Sequence, residues 1–156
     1  MKKTALMMMA LAAMATMTVP ALALDDEQAA GVVETRQSVL HVVRWNIIPM
    51  AGMVKERIPY DAAKFRVHSA RTAYMLTMLT DAFRVDTSGN NVETEALDII
   101  WSEFDEFERL AGAAQEKADA VNAAAMGDDF AAVQGAFVEL GQSCKNCHDK
   151  FREESD

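Results

Sequence analysis

The five residues from Cys144 to His148 constrain the fold of this chain more than any other segment does. They read Cys-Lys-Asn-Cys-His, and they contain both cysteines of the protein and one of its three histidines. The C-x-x-C-H spacing is the attachment signature of c-type haem, in which two cysteine sulfurs form thioethers to the porphyrin and the adjacent imidazole binds the iron. Because the motif ends eight residues before the C-terminus of a 156-residue chain, the preceding sequence must supply nearly everything that encloses the macrocycle.

Three other uses of this motif are open to a chain with two cysteines. A disulfide between Cys144 and Cys147 would close a very small loop, stabilise little and leave His148 without a role. A redox-active dithiol requires the cysteines at the start of a helix beside a strand. A structural zinc site needs a fourth ligand, for which only His41 and His68 remain. Haem attachment uses all three residues and is the favoured interpretation.

The N-terminus has the layout of a bacterial secretory signal peptide. The start is basic, residues 5–19 are mostly apolar, and Ala21-Leu22-Ala23 is a small-x-small cleavage pattern. The apolar stretch is short for a membrane anchor, which is the alternative interpretation. We therefore expect residues 1–23 to be cleaved and residues 24–156 to form a soluble domain in the periplasm, because c-type haem is attached outside the bacterial cytoplasm.

The charge of the chain argues against two classes of partner. The full sequence has a formal net charge of −9, and removal of Lys2 and Lys3 with the leader takes the remainder to −11. Such a surface repels nucleic acid and anionic membranes. It suits a basic redox partner of unknown identity, although solubility alone explains the same charge equally well.

The apolar residues follow helical spacing along the mature chain, with few glycines or prolines and no sustained alternation. The pattern predicts four helices, at about 26–48, 62–83, 93–125 and 129–152. Pro49 should end or kink the first helix, with room for one further turn, and Asp61 is placed to cap the second. Four such helices with short connections predict an all-α, antiparallel four-helix bundle that binds haem near its C-terminal helix.

The fourth predicted helix determines how the side chains of the attachment motif are arranged. Cys144, Cys147 and His148 are spaced i, i+3 and i+4, so they project from one face of the helix. The porphyrin would therefore lie along this helix. The other helices should cover it, because its large apolar surface is unfavourable in water.

The sequence resembles the cytochrome c′ family, the four-helix-bundle members of the class II c-type cytochromes, over essentially the whole mature chain. The segment from Cys144 to Arg152 is close to the haem-binding end of that family. The segment from Thr35 to Leu40 resembles the motif of its first helix, and that from Pro59 to Ala63 resembles the start of its second. Trp101-Ser102 lies where many members have tryptophan. The first of these likenesses is highly specific, and the others support it.

The resemblance implies a role for each residue of the C-terminal segment. Cys144 and Cys147 would carry the thioether links of one covalent haem c. His148 would be the only protein ligand of the iron. Arg152 matches a basic residue that lies beside the proximal histidine in the family.

Three residues of the first helix also receive roles from the resemblance. Arg36 and Gln37 match residues near the haem propionates, and an arginine fork suits a carboxylate because it offers two parallel hydrogen bonds. A solvated surface charge is the alternative for Arg36. Leu40 matches the position that faces the sixth coordination site, where low-spin relatives have methionine. Leucine has no lone pair to donate to iron.

With leucine at this position, the resemblance implies five-coordinate, high-spin iron under an apolar lid that admits nitric oxide and carbon monoxide. We expect a one-electron carrier that binds these gases, and not an enzyme, since no catalytic acid–base pair is evident. One alternative is a six-coordinate, low-spin class II electron carrier, in which a histidine or methionine occupies the open site. Another is a dedicated nitric oxide scavenger without an electron-transfer role.

The resemblance also bears on oligomeric state. Members of the family are often homodimers through their first two helices, and we expect a homodimer here, with a monomer as the alternative. Val32, Val39, Val43 and Ile48 would leave apolar surface on the outer side of the first helix.

Overall fold

The computed structural model describes residues 24–153, so the predicted signal peptide at 1–23 and the last three residues lie outside the described part. Within it, the chain forms four long helices and two short ones. α1 spans Asp26–Val54, α2 Ala62–Leu76, α3 Leu79–Phe83, α4 Ile99–Ser102, α5 Phe104–Ala124 and α6 Phe130–Phe151. The four long helices, α1, α2, α5 and α6, form the predicted all-α bundle. No helix within residues 24–153 is long and apolar enough to cross a membrane.

The bundle core is formed by two helical hairpins that pack on each other. α1 packs along α2, α5 packs along α6, and α2 joins the two pairs through its contact with α5. Among the most deeply buried apolar side chains are Met50, Phe65, Val121, Val133 and Leu140. Full burial of a large apolar side chain stabilises the fold by roughly 1.5–3 kcal/mol, so these residues dominate the energetics of the bundle.

Side-chain caps set the starts of three long helices. The Asp25 carboxylate accepts from the Gln28 N–H at 2.8 Å, while the Gln28 side chain accepts from the Asp25 N–H at 3.2 Å. Asp61 caps α2 as predicted, because its carboxylate accepts from the Lys64 N–H at 3.0 Å. Asp129 does the same for α6. Each cap satisfies N–H groups that the first turn of a helix leaves unpaired.

Pro49 does not end α1, which continues for another turn to Val54. A proline inside a helix removes one backbone hydrogen bond and crowds the preceding turn. Met50 and Met53 anchor the added turn in the core, with 0% and 3% of their surface exposed. The helix ends just before Glu56, which adopts a left-handed φ of 54°. Burial of the two methionines therefore outweighs the local tendency to stop at the proline.

The second predicted helix is interrupted. The sequence predicts one helix over 62–83, but α2 stops at Leu76, and α3 follows after a tight turn at Thr77 and Met78. The Thr77 hydroxyl donates to the Tyr74 carbonyl at 2.7 Å, and the backbone N–H groups of the turn reach back only three residues. Such side-chain bonding to a preceding carbonyl competes with regular helix.

The start of the third predicted helix is also wrong. The sequence predicts helix from about residue 93, but regular helix begins only with α4, and Glu103 separates α4 from α5. Residues 93–98 instead run beside the end of α6, where the Leu97 N–H donates to the Phe151 carbonyl at 3.0 Å. These backbone groups pair with a distant segment rather than with the next helical turn. The fourth helix lies within one residue of its predicted bounds.

Candidate haem site

The attachment motif lies in the last two turns of α6. Cys144 and Cys147 are half-buried free thiols that pack against the core, and His148 is exposed beside them. The helix is continuous through the motif. Its i, i+3 and i+4 spacing therefore puts the three side chains on one face.

Burial keeps both thiols protonated. It raises the pKa of Cys144, and it raises the pKa of Cys147 to about 11, with the neighbouring Cys144 adding to the second shift. A reactive dithiol needs the opposite, namely a lowered thiol pKa at the start of a helix. The location and environment of these cysteines therefore count against a redox-active disulfide centre.

His148 lies among charged groups from α6 and from the segment before α4. Loss of water around part of the His148 ring lowers the pKa of this otherwise exposed residue, the positive charge of Arg152 lowers it further, and Asp149 and Glu95 act in the opposite direction. A neutral imidazole is the form that ligates a metal. The Arg152 N–H donates to the His148 carbonyl at 3.1 Å, so the two residues stand one helical turn apart.

Arg36 reaches from α1 to the chain that follows α3. Its Nε donates to the Ala82 carbonyl at 2.9 Å, one terminal nitrogen donates to the Thr87 hydroxyl at 2.8 Å, and the other donates to the Val85 carbonyl. Only 2% of the residue is exposed. Arg36 is therefore not a solvated surface charge.

The guanidinium of Arg36 retains capacity for a further partner. A guanidinium has five N–H donors, and the three described bonds leave about two of them for an incoming carboxylate. Burial lowers the pKa of Arg36, while the nearby Asp86 raises it. Because arginine stays charged across the physiological range, a buried positive group faces this end of the bundle.

A chain of aromatic contacts connects Arg36 with the end of α6. The guanidinium carbon lies 5.0 Å from the Phe83 ring centre and 4.9 Å from that of Trp101. Phe83 packs on Phe107 at 4.8 Å, and Phe107 packs on Phe151 at 5.5 Å between ring centres. The first-helix motif and the attachment motif, 109 positions apart at their first residues, are thus joined by one aromatic cluster.

Leu40 lies one turn after Arg36, on the same side of α1. It is half-buried and packs against the core. Gln37, in contrast, is exposed. The structure therefore brings Arg36 and Leu40 to the inner side of α1 and leaves Gln37 on its surface.

The two other histidines are directed away from Leu40 or lie at another level of the bundle. His41 is exposed, and it is rotated about 100° around the helix from Leu40. His68 on α2 has its Nδ1 3.0 Å from the Asn46 Oδ1 and its ring edge-on to Trp45 at 6.1 Å. Asn46 follows Leu40 by six residues, which is about 9 Å along the helix.

The methionines differ in how close they come to Leu40. Met50 and Met53 are buried in the core, about 15 and 20 Å further along α1. Met78 is exposed. Met75 is half-buried on α2, and the antiparallel course of the two helices brings it to about the level of Leu40. Met75 is therefore the methionine that a test of the open coordination site must include.

The aromatic residues of the bundle core divide between its two ends. Trp101, Phe104 and Phe107 lie at the end that carries the attachment motif, where the Trp101 Nε1–H donates to the Phe83 carbonyl at 3.0 Å. Phe130 packs on Tyr60 at the opposite end.

Sequence reasoning missed three residues of this end. Phe83 lies at the predicted end of the second helix. Glu95 lies near the predicted start of the third helix. Phe151 had a usable signal, because it follows Cys147 by four residues and so shares the face of the cysteines.

These residues fit a covalently attached haem. Two half-buried thiols and an imidazole share one helix face, an aromatic cluster lies beside them, and a buried guanidinium has donors to spare for a propionate. When bound, haem supplies one-electron chemistry and an iron centre for gases. Within residues 24–153, no three His, Cys, Asp or Glu side chains form a group that could hold a metal ion, so the zinc interpretation gains no support.

The comparisons with known proteins agree with this fit. Residues 31–152 match the model of the family described as Cytochrome C′. Cytochrome c′ of Cereibacter sphaeroides is 34% identical over 142 residues, which cover 89% of this chain and 92% of the relative. The structure of cytochrome c prime from Shewanella frigidimarina superposes with a TM-score of 0.77 at 30% identity and covers 82% of this chain and 98% of its own. A nitric oxide complex of a mutant cytochrome c prime from Alcaligenes xylosoxidans gives 0.74 at 28% identity, with 81% and 97% covered.

Proposed function

Because the chain belongs to the cytochrome c′ family and carries one covalent haem c, we propose that it is a periplasmic protein with five-coordinate, high-spin iron. In this proposal it transfers single electrons and binds nitric oxide and carbon monoxide. Cys144 and Cys147 hold the porphyrin through thioether links, and His148 binds the iron from one side.

The other residues of the site orient the porphyrin and cover it. Arg36 offers its remaining N–H donors to a propionate from within the aromatic cluster. Gln37 is exposed on α1 next to Arg36 and would bind a propionate from the surface. Arg152 stands one turn beyond His148 on the proximal side.

The observation that carries the proposal is Leu40. Its side chain packs inward from α1, and it contains no atom that can ligate iron. The histidines and the core methionines that could replace it as a ligand are exposed, hydrogen-bonded or about 15 Å distant along α1. An apolar residue over an open coordination position favours small uncharged ligands, because a charged ligand would lose its hydration there.

The comparisons support the gas-binding part of this proposal. A mutant of a relative of similar fold has been solved as a nitric oxide complex. In this chain, the apolar side chain of Leu40 would favour the same class of ligand. Electron transfer is the second activity, and it is supported by the position of the attachment motif on the half-buried face of the terminal helix.

The proposal is tested by adding a ligand at Leu40. In the holoprotein, Leu40→Met should convert high-spin iron to a six-coordinate, low-spin form and weaken carbon monoxide binding. Val39→Met, which adds the same side chain about 100° away around α1, should leave the absorption spectrum unchanged. Met75→Leu should also leave it unchanged. A spectrum unaffected by Leu40→Met would show that this residue does not face the metal, and loss of a low-spin spectrum in Met75→Leu would assign the sixth ligand to Met75.

The rate of electron exchange distinguishes an electron carrier from a dedicated nitric oxide scavenger. We expect the ferrous holoprotein to pass one electron to a one-electron acceptor such as hexaammineruthenium(III), and the ferric form to be reduced again by an electrode with mediators. A protein that binds nitric oxide but exchanges electrons over hours rather than seconds would fit the scavenger alternative instead.

We also propose a homodimer that forms through α1 and α2. Of the apolar residues named from the sequence, Ile48 is exposed, while Val32, Val39 and Val43 are half-buried. Ile48 has 57% of its surface exposed, so it is the member of this group best placed to contact a second copy.

Further apolar groups on the same two helices support this dimer. Trp45 on α1 is 60% exposed and Tyr74 on α2 is 65% exposed. Trp45→Glu combined with Ile48→Glu should give a monomer in sedimentation analysis, whereas Val138→Glu, at an equally exposed position on α6, should not. A monomeric wild-type protein at micromolar concentration would exclude the dimer.

The periplasmic location is supported by the predicted leader and by the need to attach c-type haem outside the cytoplasm. Mass spectrometry of the protein purified from a host that matures c-type cytochromes should give a polypeptide that begins at Leu24. Retention of residues 1–23 would favour the membrane-anchor alternative.

A further inference from the structure

Backbone hydrogen bonds join the end of α6 to the segment that precedes α4. The Leu97 N–H donates to the Phe151 carbonyl at 3.0 Å, and the Glu153 N–H donates to the Glu95 carbonyl at 2.9 Å. Between them, Ala96 forms an isolated antiparallel bridge with the terminal segment. The last turn of α6 is therefore fixed against a second piece of chain just after the attachment motif.

The same junction contains an ion pair. The Arg152 Nε donates to the Glu95 Oε2 at 2.7 Å, and a terminal nitrogen of Arg152 lies 2.6 Å from the same oxygen. Two contacts from one guanidinium to a carboxylate are shorter and more directional than neutral hydrogen bonds. Because backbone bonds hold both residues, Glu95 helps to fix where the positive charge of Arg152 lies.

Stability does not explain this pair. The side chains of Arg152 and Glu95 are 41% and 62% exposed. Ion pairs exposed to this degree contribute only about 0–1 kcal/mol, because water and salt screen them. The pair can instead act through its charges on the electrostatics of the neighbouring haem site.

The pair lies on the side of α6 that carries the iron ligand. Arg152 follows His148 by four residues, which places both on one face. The Arg152 N–H donates to the His148 carbonyl at 3.1 Å, which fixes the two residues one helical turn apart. A second ion pair, Lys150–Glu103 at 2.5 Å, provides a contrast, because its cation follows His148 by two residues and so points about 200° away around the helix.

We propose that Glu95 is a positioning residue that holds the Arg152 guanidinium beside His148 and thereby lets Arg152 raise the midpoint potential of the bound haem. The inference rests on the proposed role of His148 as the iron ligand. Reduction adds one electron from an external donor, and it removes one positive charge from the site. A fixed cation beside the ligand therefore favours the reduced form, provided that the cation stays in place.

The experiment is a set of spectroelectrochemical titrations of holoprotein variants. In the wild-type background, Arg152→Gln should lower the equilibrium constant for reduction about threefold to tenfold, which is ~30–60 mV for one electron. In a Glu95→Ala background, the same Arg152 substitution should change it less than twofold. Glu95→Gln keeps the size of the side chain and a neutral acceptor, so it should give an intermediate result.

Glu103→Ala is the matched control. It removes a carboxylate from the neighbouring ion pair, and it should leave the effect of Arg152→Gln at its full size. Hydrogen exchange at the Leu97 and Glu153 amides should stay as slow in Glu95→Gln as in the wild type, because the backbone bonds of the junction do not depend on the carboxylate. A reduced effect of Arg152 in that variant would then be due to the lost charge.

Two results would overturn the inference. One is an effect of Arg152→Gln that is the same with and without Glu95, which is the additive outcome for independent residues. The other is an effect that Glu103→Ala abolishes equally well. Failure of the proposed function is separate: a low-spin spectrum of the wild-type protein would contradict five-coordinate iron and would leave this coupling measurable.

Discussion

The two ends of the bundle close in different ways. At the far end, defined by Tyr60, Phe65, Phe130 and Phe137, the aromatic rings pack on one another. Tyr60 lies 4.5 Å from Phe130 between ring centres, and Phe65 lies 6.3 Å from Phe137. Phe65 is completely buried. The aromatic contacts at this end are made by protein side chains alone.

The haem end, defined by Arg36, Phe83, Trp101, Phe107 and Phe151, combines aromatic rings with a buried charge. Its guanidinium lies between two rings and donates to backbone carbonyls rather than to an acidic partner. Both cysteine thiols beside this end remain half-buried. A core that contains a buried cation beside partly exposed thiols is suited to haem, which has an apolar macrocycle and negatively charged propionates.

The far end should therefore be stable without the cofactor, whereas the haem end should depend on it. Loss of the cofactor, of a buried ring or of a polar contact should then have different consequences at the two ends. Four sets of variants test this difference, and each should have a smaller effect than the one before it.

Removal of both attachment sulfurs should have the largest effect. Cys144→Ala combined with Cys147→Ala should abolish covalent haem completely, as judged by the mass of the intact protein. Hydrogen exchange should then accelerate at α4 and at the C-terminal turns of α6, while the C-terminal half of α5 stays protected. Equal acceleration at both ends would contradict the difference between them.

Removal of one buried ring at each end should cost similar stability but have different spectroscopic effects. Phe65→Ala and Phe107→Ala should each lower the free energy of unfolding by about 3–5 kcal/mol, because each leaves a cavity in a packed core. Urea unfolding followed by circular dichroism measures this loss. Phe107→Ala should also change the absorption spectrum or midpoint potential of the holoprotein, and Phe65→Ala should change neither.

Removal of the buried cation should have a smaller effect that is confined to the haem end. Arg36→Met keeps much of the apolar stem but leaves the carbonyls of Ala82 and Val85 and the hydroxyl of Thr87 without their donor. We expect a loss of about 1–3 kcal/mol in the free energy of unfolding. An unchanged urea midpoint would show that these contacts are replaced by water at no cost.

Removal of a surface ion pair should have the smallest effect. Lys117 and Glu139 join α5 to α6 at 2.6 Å, and the lysine holds the pKa of Glu139 below its usual value. A lowered carboxyl pKa means that the contribution of the pair is present at neutral pH and is lost as pH falls through that lowered pKa. Because both groups are exposed, Glu139→Gln should leave the acid-unfolding midpoint nearly unchanged.

Local patterns in the sequence predicted the bundle and its fourth helix well. The helix cap formed by Asp61 and the helical spacing of α6 each involve residues that are close in the sequence. They can therefore be recognised without the rest of the fold. Two features depend on contacts with distant parts of the chain, which local patterns do not show. α1 continues past Pro49 because Met50 and Met53 find a buried site, and residues 93–98 avoid helix because their backbone pairs with the chain's end.

In the candidate site, too, local features could be predicted and contacts between distant residues could not. The spacing of Cys144, Cys147 and His148 is local, and the sequence places these three side chains on one face. The contacts of Arg36 are with residues 46 to 51 positions away, and no pattern near it could indicate them. Glu95 lay in a stretch predicted to be helical, so its pairing with Arg152 became apparent only in the folded chain.

The most direct test of the account is the absorption spectrum of the purified holoprotein in its ferric and ferrous forms, with and without carbon monoxide. Iron bound by His148 alone, with Leu40 over the opposite side, should give high-spin spectra in both oxidation states and should take up carbon monoxide when reduced. A far-red methionine–iron band in the ferric form, or a low-spin ferrous spectrum that resists carbon monoxide, would contradict the account.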